Sequence, residues 1–448
     1  MTTSYWCEFA DVDGAVQESV AIDVDGGRFV SVEAGRPFTA DATVLRGLTI
    51  AGFANAHSHA FHRALRSRTQ TDRGTFWTWR ELMYRAASRL DPDRYFRLAR
   101  ATYAEMAMAG ITAVGEFHYV HHRPGGGRYD DPNAMGHALL AAAHEAGIRI
   151  TLLDTVYLHG GLDGSGHIAL SDAQQRFGDG TADAWAERIG GLAPGSGHRV
   201  GAAIHSVRAV DVRSMRTVVD WAREHDAPLH AHVSEQTSEN EQCQAAFGAS
   251  PTALLHEAGA LGDRFTAIHA THVSPDDIDA LAASGSTVCL CPTTERDLGD
   301  GVGPTGRFAA ADLRMALGTD SHAVIDVFEE ARALELDERL VTRTRGVHAA
   351  RELVASATSR GHRSLGWSDA GAIEVGRRAD LVTVALDSVR TAGASADAAL
   401  EAVVFAATAA DVVHVVVDGR PVVADRHHLA VDAPAELQRT IADLMEDR

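Results

Sequence analysis

The stretch "GFANAHSHAFHRALRS", residues 52–67, sets His57, His59 and His62 at the close of an apolar run. On a strand, residues i and i+2 project from one face with Cα atoms roughly 6–7 Å apart, so the imidazoles of His57 and His59 can converge on one cation. An H-x-H pair alone fits a histidine-rich polar strand end equally well, and the other apolar runs separate the two readings. "HAHVSE" ends on His232 and Glu235, "HATH" carries His269 and His272, and "RMALGTDSH" holds Asp320. Three histidines and a carboxylate (His57, His59, His232, Asp320) match the ligand preferences of Zn²⁺, with a position left for water in a catalytic site. Fe²⁺ or another first-row ion could take the same ligands. Four polar strand ends on one rim are poorly explained by packing, because buried polar groups need partners.

These residues require a scaffold that brings distant strand ends together. From about residue 48 the chain alternates short β-rich runs with helical stretches: "LTIAGFANAH", "ITAVGEFHYV", "IRITLLDTVY", "RVGAAIHSV", "PLHAHVSE", "FTAIHATHV", "STVCLCPTT" and "RMALGTDSH". Near-continuous apolar strands between helices such as "DPDRYFRLARATYAEMAMAG" and "DVRSMRTVVDWAREHD" predict a parallel sheet covered on both faces. Eight units predict a (β/α)₈ TIM barrel over residues 48–369, with its site at the C-terminal ends of the strands. Residues 1–47 and 370–448 lack that rhythm and predict one small β-sandwich domain built from both chain ends. "GGLDGSGH" and "RPGGGRYDD" lack a phosphate-loop pattern and read as loops.

The chain has 448 residues, 45% of them hydrophobic, and a formal net charge of −20. That balance argues against nucleic acid and anionic membrane as partners, both of which need a cationic face. The N-terminal "MTTSYWCEFADVDG" shows no signal-peptide pattern, and "AALEAVVFAATAADVVHVVVDG" reads as a helix followed by a short strand rather than a membrane span. Four scattered cysteines, Cys7, Cys243, Cys289 and Cys291, do not make a disulfide framework, so the expected compartment is the cytoplasm.

The ordered set H-x-H, H-x-x-E, H and D at the ends of strands one, five, six and eight resembles the amidohydrolase superfamily. Within it the chain is similar to the deaminase branch that binds a single divalent metal, and above all to the formimidoylglutamate deiminases. The segments carrying this likeness are "HSHAFHRAL", "FWTWRELMYR", "EFHYVHH", "HSVRAV", "HVSEQ", "HATH" and "CPTTERDLGDG". Two departures from the family pattern stand out: His62 in place of Gln, and Arg296-Asp297 in place of Ala-Asn. The resemblance implies a metal-activated water attacking the formimino carbon of N-formimidoyl-L-glutamate. Glu235, His269 and Asp320 would divide the proton transfers, and ammonia and N-formyl-L-glutamate would be released.

Such a small anionic substrate has two carboxylates, which an acidic protein must meet with local guanidinium groups. The resemblance points to Arg80 and Arg208, with Tyr119, His205 and His62 as further substrate contacts. Each has a plainer reading: Arg80 as a surface arginine beside an aromatic cluster, Glu235 and His269 as structural neighbours of the metal residues. His272 reads as structural, Trp77 and Trp79 as packing or lid residues, and His118, His121 and His122 as strand caps or solvent-facing groups. The rival functions are deamination or C–N hydrolysis of a purine, a pyrimidine or an imidazolone, and, from another class, a non-catalytic barrel scaffold. The resemblance also implies a homodimer.

Overall fold

The computed structural model describes residues 2–70 and 76–446, with only the backbone of Phe76 and Trp77. The expectation for the Trp77 side chain therefore lies outside the described residues. Eight strands form the central barrel: β1 (Phe53–Ser58), β2 (Ile111–His118), β3 (Arg149–Val156), β4 (His198–Ile204), β5 (Leu229–Val233), β6 (Phe265–His269), β7 (Thr287–Leu290) and β8 (Arg314–Leu317). They hydrogen-bond in chain order, each parallel to the next. β1, β2 and β3 are buried along their whole length, which is why their sequences run apolar without alternation. Aspartates cap two of the intervening helices. Asp91 accepts from Arg94 N ahead of Pro92–Met108, and Asp211 accepts from Ser214 N ahead of Val212–Glu224.

The ring closes between β1 and the chain following β8, at the same rim as the histidines. Asp320 N donates to His57 O at 3.0 Å and His59 N donates to Asp320 O at 3.2 Å. Gly318 permits this approach: a Cβ there would lie 2.7 Å from His57 Cβ and 3.0 Å from His57 N.

The flanks join into one eight-stranded sheet. Its N-terminal strands are Thr3–Val12, Ala15–Asp25, Arg28–Glu33 and Thr43–Ala51, and its C-terminal strands are Leu381–Val384, Val412–Val417, Arg420–Ala424 and His427–His428. Thr43–Ala51 pairs with Thr3–Val12 on one side and Leu381–Val384 on the other. The expected boundary after residue 47 thus falls inside a strand, and the chain leaves this sheet at Gly52. The apolar run "LTIAGFANAH" is continuous, but it serves two sheets. A Cβ at Gly52 would sit 2.4 Å from Thr112 Oγ1, so glycine allows the chain to cross there against β2. The C-terminal region is also not purely β. Helices Ala399–Ala406 and Ala433–Met445 belong to it, and the second is tied to Pro92–Met108 through the Arg100–Glu436 and Arg94–Asp443 ion pairs. "GGLDGSGH", read as a loop, instead forms a hairpin of Gly161–Asp163 with Gly166–Ile168. No helix among the described residues is long and apolar enough to cross a membrane.

A buried ionic joint couples barrel and sheet. Arg149, at the start of β3, donates to Asp380 at 2.9 Å and to Asp418 at 3.1 Å. The guanidinium groups of Arg149, Arg199 and Arg378 lie 5.3, 4.4 and 4.8 Å from the Trp367 ring centre. Removing one member of such a pair strands a charge away from water. Asp380→Ala is expected to lower the unfolding free energy by about 3–5 kcal/mol in urea denaturation; an unchanged midpoint would show that the joint carries no stability.

Candidate active site

The C-terminal ends of β1, β5, β6 and β8 deliver His57, His59, His232, His269 and Asp320 to one point. All five are buried, the most exposed being His232 at 6%. His57 Nε2 lies 3.3 Å from Asp320 Oδ1, and His59 Nε2 lies 3.5 Å from the same oxygen. His232 Nε2 approaches His57 Nε2 to 3.2 Å. His59 Nδ1 faces Phe117 O at 2.8 Å and His232 Nδ1 faces His205 O at 2.8 Å. A carbonyl only accepts, so both rings carry their proton on Nδ1 and turn the Nε2 lone pair inward. Burial, reinforced by neighbouring imidazoles, pushes His57 and His232 well below the usual histidine range, which keeps them in the neutral, ligating form.

This donor set fits a divalent cation. Lone pairs and a carboxylate oxygen converge on a common point without enough protons to hold them there. The ligand atoms of His57, His59 and Asp320 lie within 4.8 Å of one another, as do those of His57, His232 and His269. Among the described residues, His269 Nε2 is buried with no hydrogen-bond partner. His118, His121 and Asp154 also come within that span. There, however, Arg188 already donates to both Asp154 oxygens, at 2.7 and 2.9 Å, so the positive charge is built in.

Around this centre the carboxylates gather on His269. Its Nδ1 is 3.3 Å from Glu295 Oε1, and its Nε2 is 3.8 Å from both Glu235 Oε1 and Asp320 Oδ2. Burial opposes the charged ring, but Glu235, Glu295 and Asp320 outweigh it and push its pKa up to about 10. His272 stands apart, bonding Asp300 O through Nε2 at 2.7 Å. The backbone at His269 (φ 69°) and Asp320 (φ 41°) is left-handed, a conformation that non-glycine residues adopt at sites held by their surroundings.

A cleft opens beside these residues. His62, Arg80, Tyr119, His205 and Arg208 all line it, together with His59, His232, Glu235 and Asp320. His62 Nε2 lies 3.1 Å from Tyr119 OH. Arg80, on the helix Phe76–Ser88, donates to Tyr84 OH at 2.5 Å and to Gly160 O at 3.4 Å. Arg208 lies 3.4 Å from Glu235 and 3.8 Å from Glu239, which hold its charge against the cost of burial. Trp79 lines the cleft as well, next to the His62 ring.

Several expectations need correction. His118, His121 and His122 are all buried, so none of them faces solvent. His121 bonds Thr155 O and His122 bonds Asp179. Arg296 and Asp297 do not line the cleft: Arg296 reaches Pro292 O and Glu329, and Asp297 receives Gln70. Of the two departures from the family pattern, only His62 touches the site. Sequence reasoning passed over Glu239, Glu295, Tyr84 and Tyr157. Glu295 lay within a segment already singled out, and Glu239 lies one helical turn after Glu235. Tyr84 stands four residues after Arg80 in "FWTWRELMYR", and Tyr157 closes the run "IRITLLDTVY".

A barrel that gathers histidine and aspartate donors at its strand ends defines a class of metal-assisted hydrolase. Residues 48–422 match the family model described as "Amidohydrolase family", and the chain belongs to that family. It is 39% identical over 404 residues to formimidoylglutamate deiminase from Pseudomonas aeruginosa, covering 87% of this chain and 88% of the relative. It is 29% identical over 406 residues to 5-methylthioadenosine/S-adenosylhomocysteine deaminase from Natronomonas pharaonis, covering 89% and 87%. Among solved structures, an amidohydrolase from Brucella melitensis superposes with a TM-score of 0.90 at 33% identity, over 99% of this chain and 100% of that one. The protein is a hydrolase acting on C–N bonds.

His232→Ala is expected to reduce retention of a bound divalent ion on dialysis to a small fraction of the wild-type level, because neutral imidazole is the ligating group. Elemental analysis reads the outcome, and full retention in the variant would remove His232 from the donor set.

Proposed function

We propose that the protein hydrolyses N-formimidoyl-L-glutamate to N-formyl-L-glutamate and ammonia, using one divalent metal ion, Zn²⁺ in the first instance. The observation that carries this reading is the pair of guanidinium groups, Arg80 and Arg208, lining a cleft beside the histidine cluster in a chain of net charge −20. A substrate with two carboxylates has use for both, whereas a neutral heterocycle has none. The 39% identity to the Pseudomonas aeruginosa deiminase supports the same substrate. A structural neighbour, an adenosine deaminase from Xanthomonas campestris described with bound zinc, supports the choice of ion. Four free, buried cysteines favour a reducing compartment, and we place the enzyme in the cytoplasm.

His57, His59, His232 and Asp320 would hold the ion. When bound, it supplies Lewis acidity that brings the pKa of water towards neutrality. The protein's own groups then divide the remaining work. His269 and Asp320 stand where they can orient the nucleophilic water and accept its proton. Glu235 hydrogen-bonds the imino nitrogen and relays to it both protons of the water, the first on attack and the second from the new hydroxyl on collapse. The C–N bond then breaks, ammonia leaves, and the carbon keeps the water oxygen as a carbonyl. Arg80 and Arg208 anchor the carboxylates, and Tyr119, His62 and His205 complete the wall of the cleft. Glu235 already contacts Arg208 at 3.4 Å. A substrate carboxylate on Arg208 competes for that contact and leaves Glu235 available to the imino nitrogen.

Ammonia release from N-formimidoyl-L-glutamate, set against 5-methylthioadenosine and guanine, with imidazolone propionate followed by loss of its ring absorbance, tests the reading. We expect turnover of the first alone, and faster turnover of any heterocycle would overturn it. Arg208→Met is expected to raise KM about 10–100-fold, the cost of a charge-assisted hydrogen bond, with a smaller change in kcat. Unchanged saturation would take Arg208 out of the substrate site.

A further inference from the structure

Behind the candidate metal residues runs a buried hydrogen-bond chain, none of whose members lines the cleft. Asn55 Nδ2 donates to Thr319 Oγ1 at 2.7 Å, and Asn55 Oδ1 accepts from Thr319 N at 3.0 Å, which fixes the orientation of the amide. The Thr319 hydroxyl donates to His322 Nδ1 at 2.9 Å. His322 Nε2 donates to Ser58 Oγ at 3.1 Å, and the Ser58 hydroxyl donates to Glu116 Oε2 at 2.6 Å. Glu116 Oε1 accepts from Ala60 N at 2.7 Å. With Glu116 ionised, which burial resists by pushing its pKa up to about 7, the chain runs in this direction, since an amide NH₂ only donates and a carboxylate only accepts.

The placement of this chain is specific. Ser58 stands between His57 and His59, Ala60 follows His59, and Thr319 precedes Asp320. Asp320 and His322 both have left-handed backbone, with φ of 41° and 57°. An L-residue keeps that conformation only where its neighbours hold it. Glu116 and His322 are each fully buried at 0% exposure, so neither reaches solvent or substrate.

We propose that Glu116 is a positioning residue for the metal cradle. Through Ser58 and Ala60 it sets the backbone that aims His57 and His59, and through His322 and Thr319 it steadies the turn that presents Asp320. The proposal rests on the reading that those three residues and His232 hold the ion. A near-isosteric change exposes the logic. In Glu116→Gln the single carbonyl oxygen stays with Ala60 N, which cannot reverse, and the amide NH₂ faces Ser58. Ser58 must then donate to His322 Nε2, and His322 must move its proton to Nδ1. Thr319 Oγ1 then faces two donors, His322 and Asn55, and its own proton loses its acceptor. The fault arrives next to Asp320.

The test strips the full-length protein with a chelator and titrates it with Zn²⁺ and with Co²⁺. Glu116→Gln is expected to weaken Zn²⁺ binding about 10–100-fold, as the loss of such outer contacts does elsewhere. It is also expected to shift the Co²⁺ d–d absorption, which a merely structural role would not move. Ser58→Ala keeps the carboxylate but cuts the link, and should change both readouts in the same direction. It serves also if Glu116→Gln does not fold. Wild-type Zn²⁺ affinity and an unshifted Co²⁺ spectrum in the folded variants would overturn the proposal. If wild-type protein itself fails to bind one equivalent, the metal reading falls and takes this inference with it.

Discussion

The site depends on electron pairs facing one another. His59 and His232 each give their Nδ1 proton to a backbone carbonyl, so their Nε2 lone pairs must point at the space shared with Asp320 Oδ1. Left to themselves, buried acceptors repel and cost free energy. A cation turns that liability into a binding site. The carbonyls doing this, Phe117 O and His205 O, lie at the ends of neighbouring barrel strands, so ring orientation is set by the fold rather than by flexible side chains.

Barrel closure and site assembly are one event at the rim. β1 and the segment after β8 meet there through the backbone bonds of His57, His59 and Asp320. A side chain on Gly318 would hold the two strands apart and separate the ligands with them. Next to the seam, the chain from Asn55 to Glu116 supplies polar partners that an apolar core could not. The opposite demand is met where barrel and sheet join: Arg149, Asp380 and Asp418 pair their charges internally, beside the Trp367 ring, and call for no ion.

The barrel was legible because its strands are buried on both faces and read as continuous apolar runs. The metal-type residues were legible because each sits at the end of such a run. What escaped had no local signature. Thr43–Ala51 and Phe53–Ser58 merge into one run, and only tertiary pairing assigns them to different sheets. The hairpin Gly161–Ile168 is too short and glycine-rich to show alternation. Arg296-Asp297 looked relevant by position in a motif, but helix Pro292–Leu298 turns both away from the cleft. Buried Glu116 and His322 drew no reading from the sequence, because a hydrogen-bond chain across β1, β2 and the turn after β8 leaves no spacing pattern.

The electrostatics of the cleft carry the argument one step further. Glu235, Glu295 and Asp320 crowd His269 until its ring binds a proton at a pKa of about 10. Asp300, pushed up by burial and then by Glu235, holds its own proton to about 9. Both shifts have one physical origin: more negative charge has been buried at this rim than the protein's own cations neutralise. Arg208 is committed to Glu235 and Glu239, and lies on the substrate side of the cleft. The deficit is therefore met by protons taken up from solvent, on groups better suited to other work. A divalent ion among the histidines supplies the missing charge where the lone pairs already point. The same charge would lower the proton affinity of His269, the direction its proposed role as a base requires.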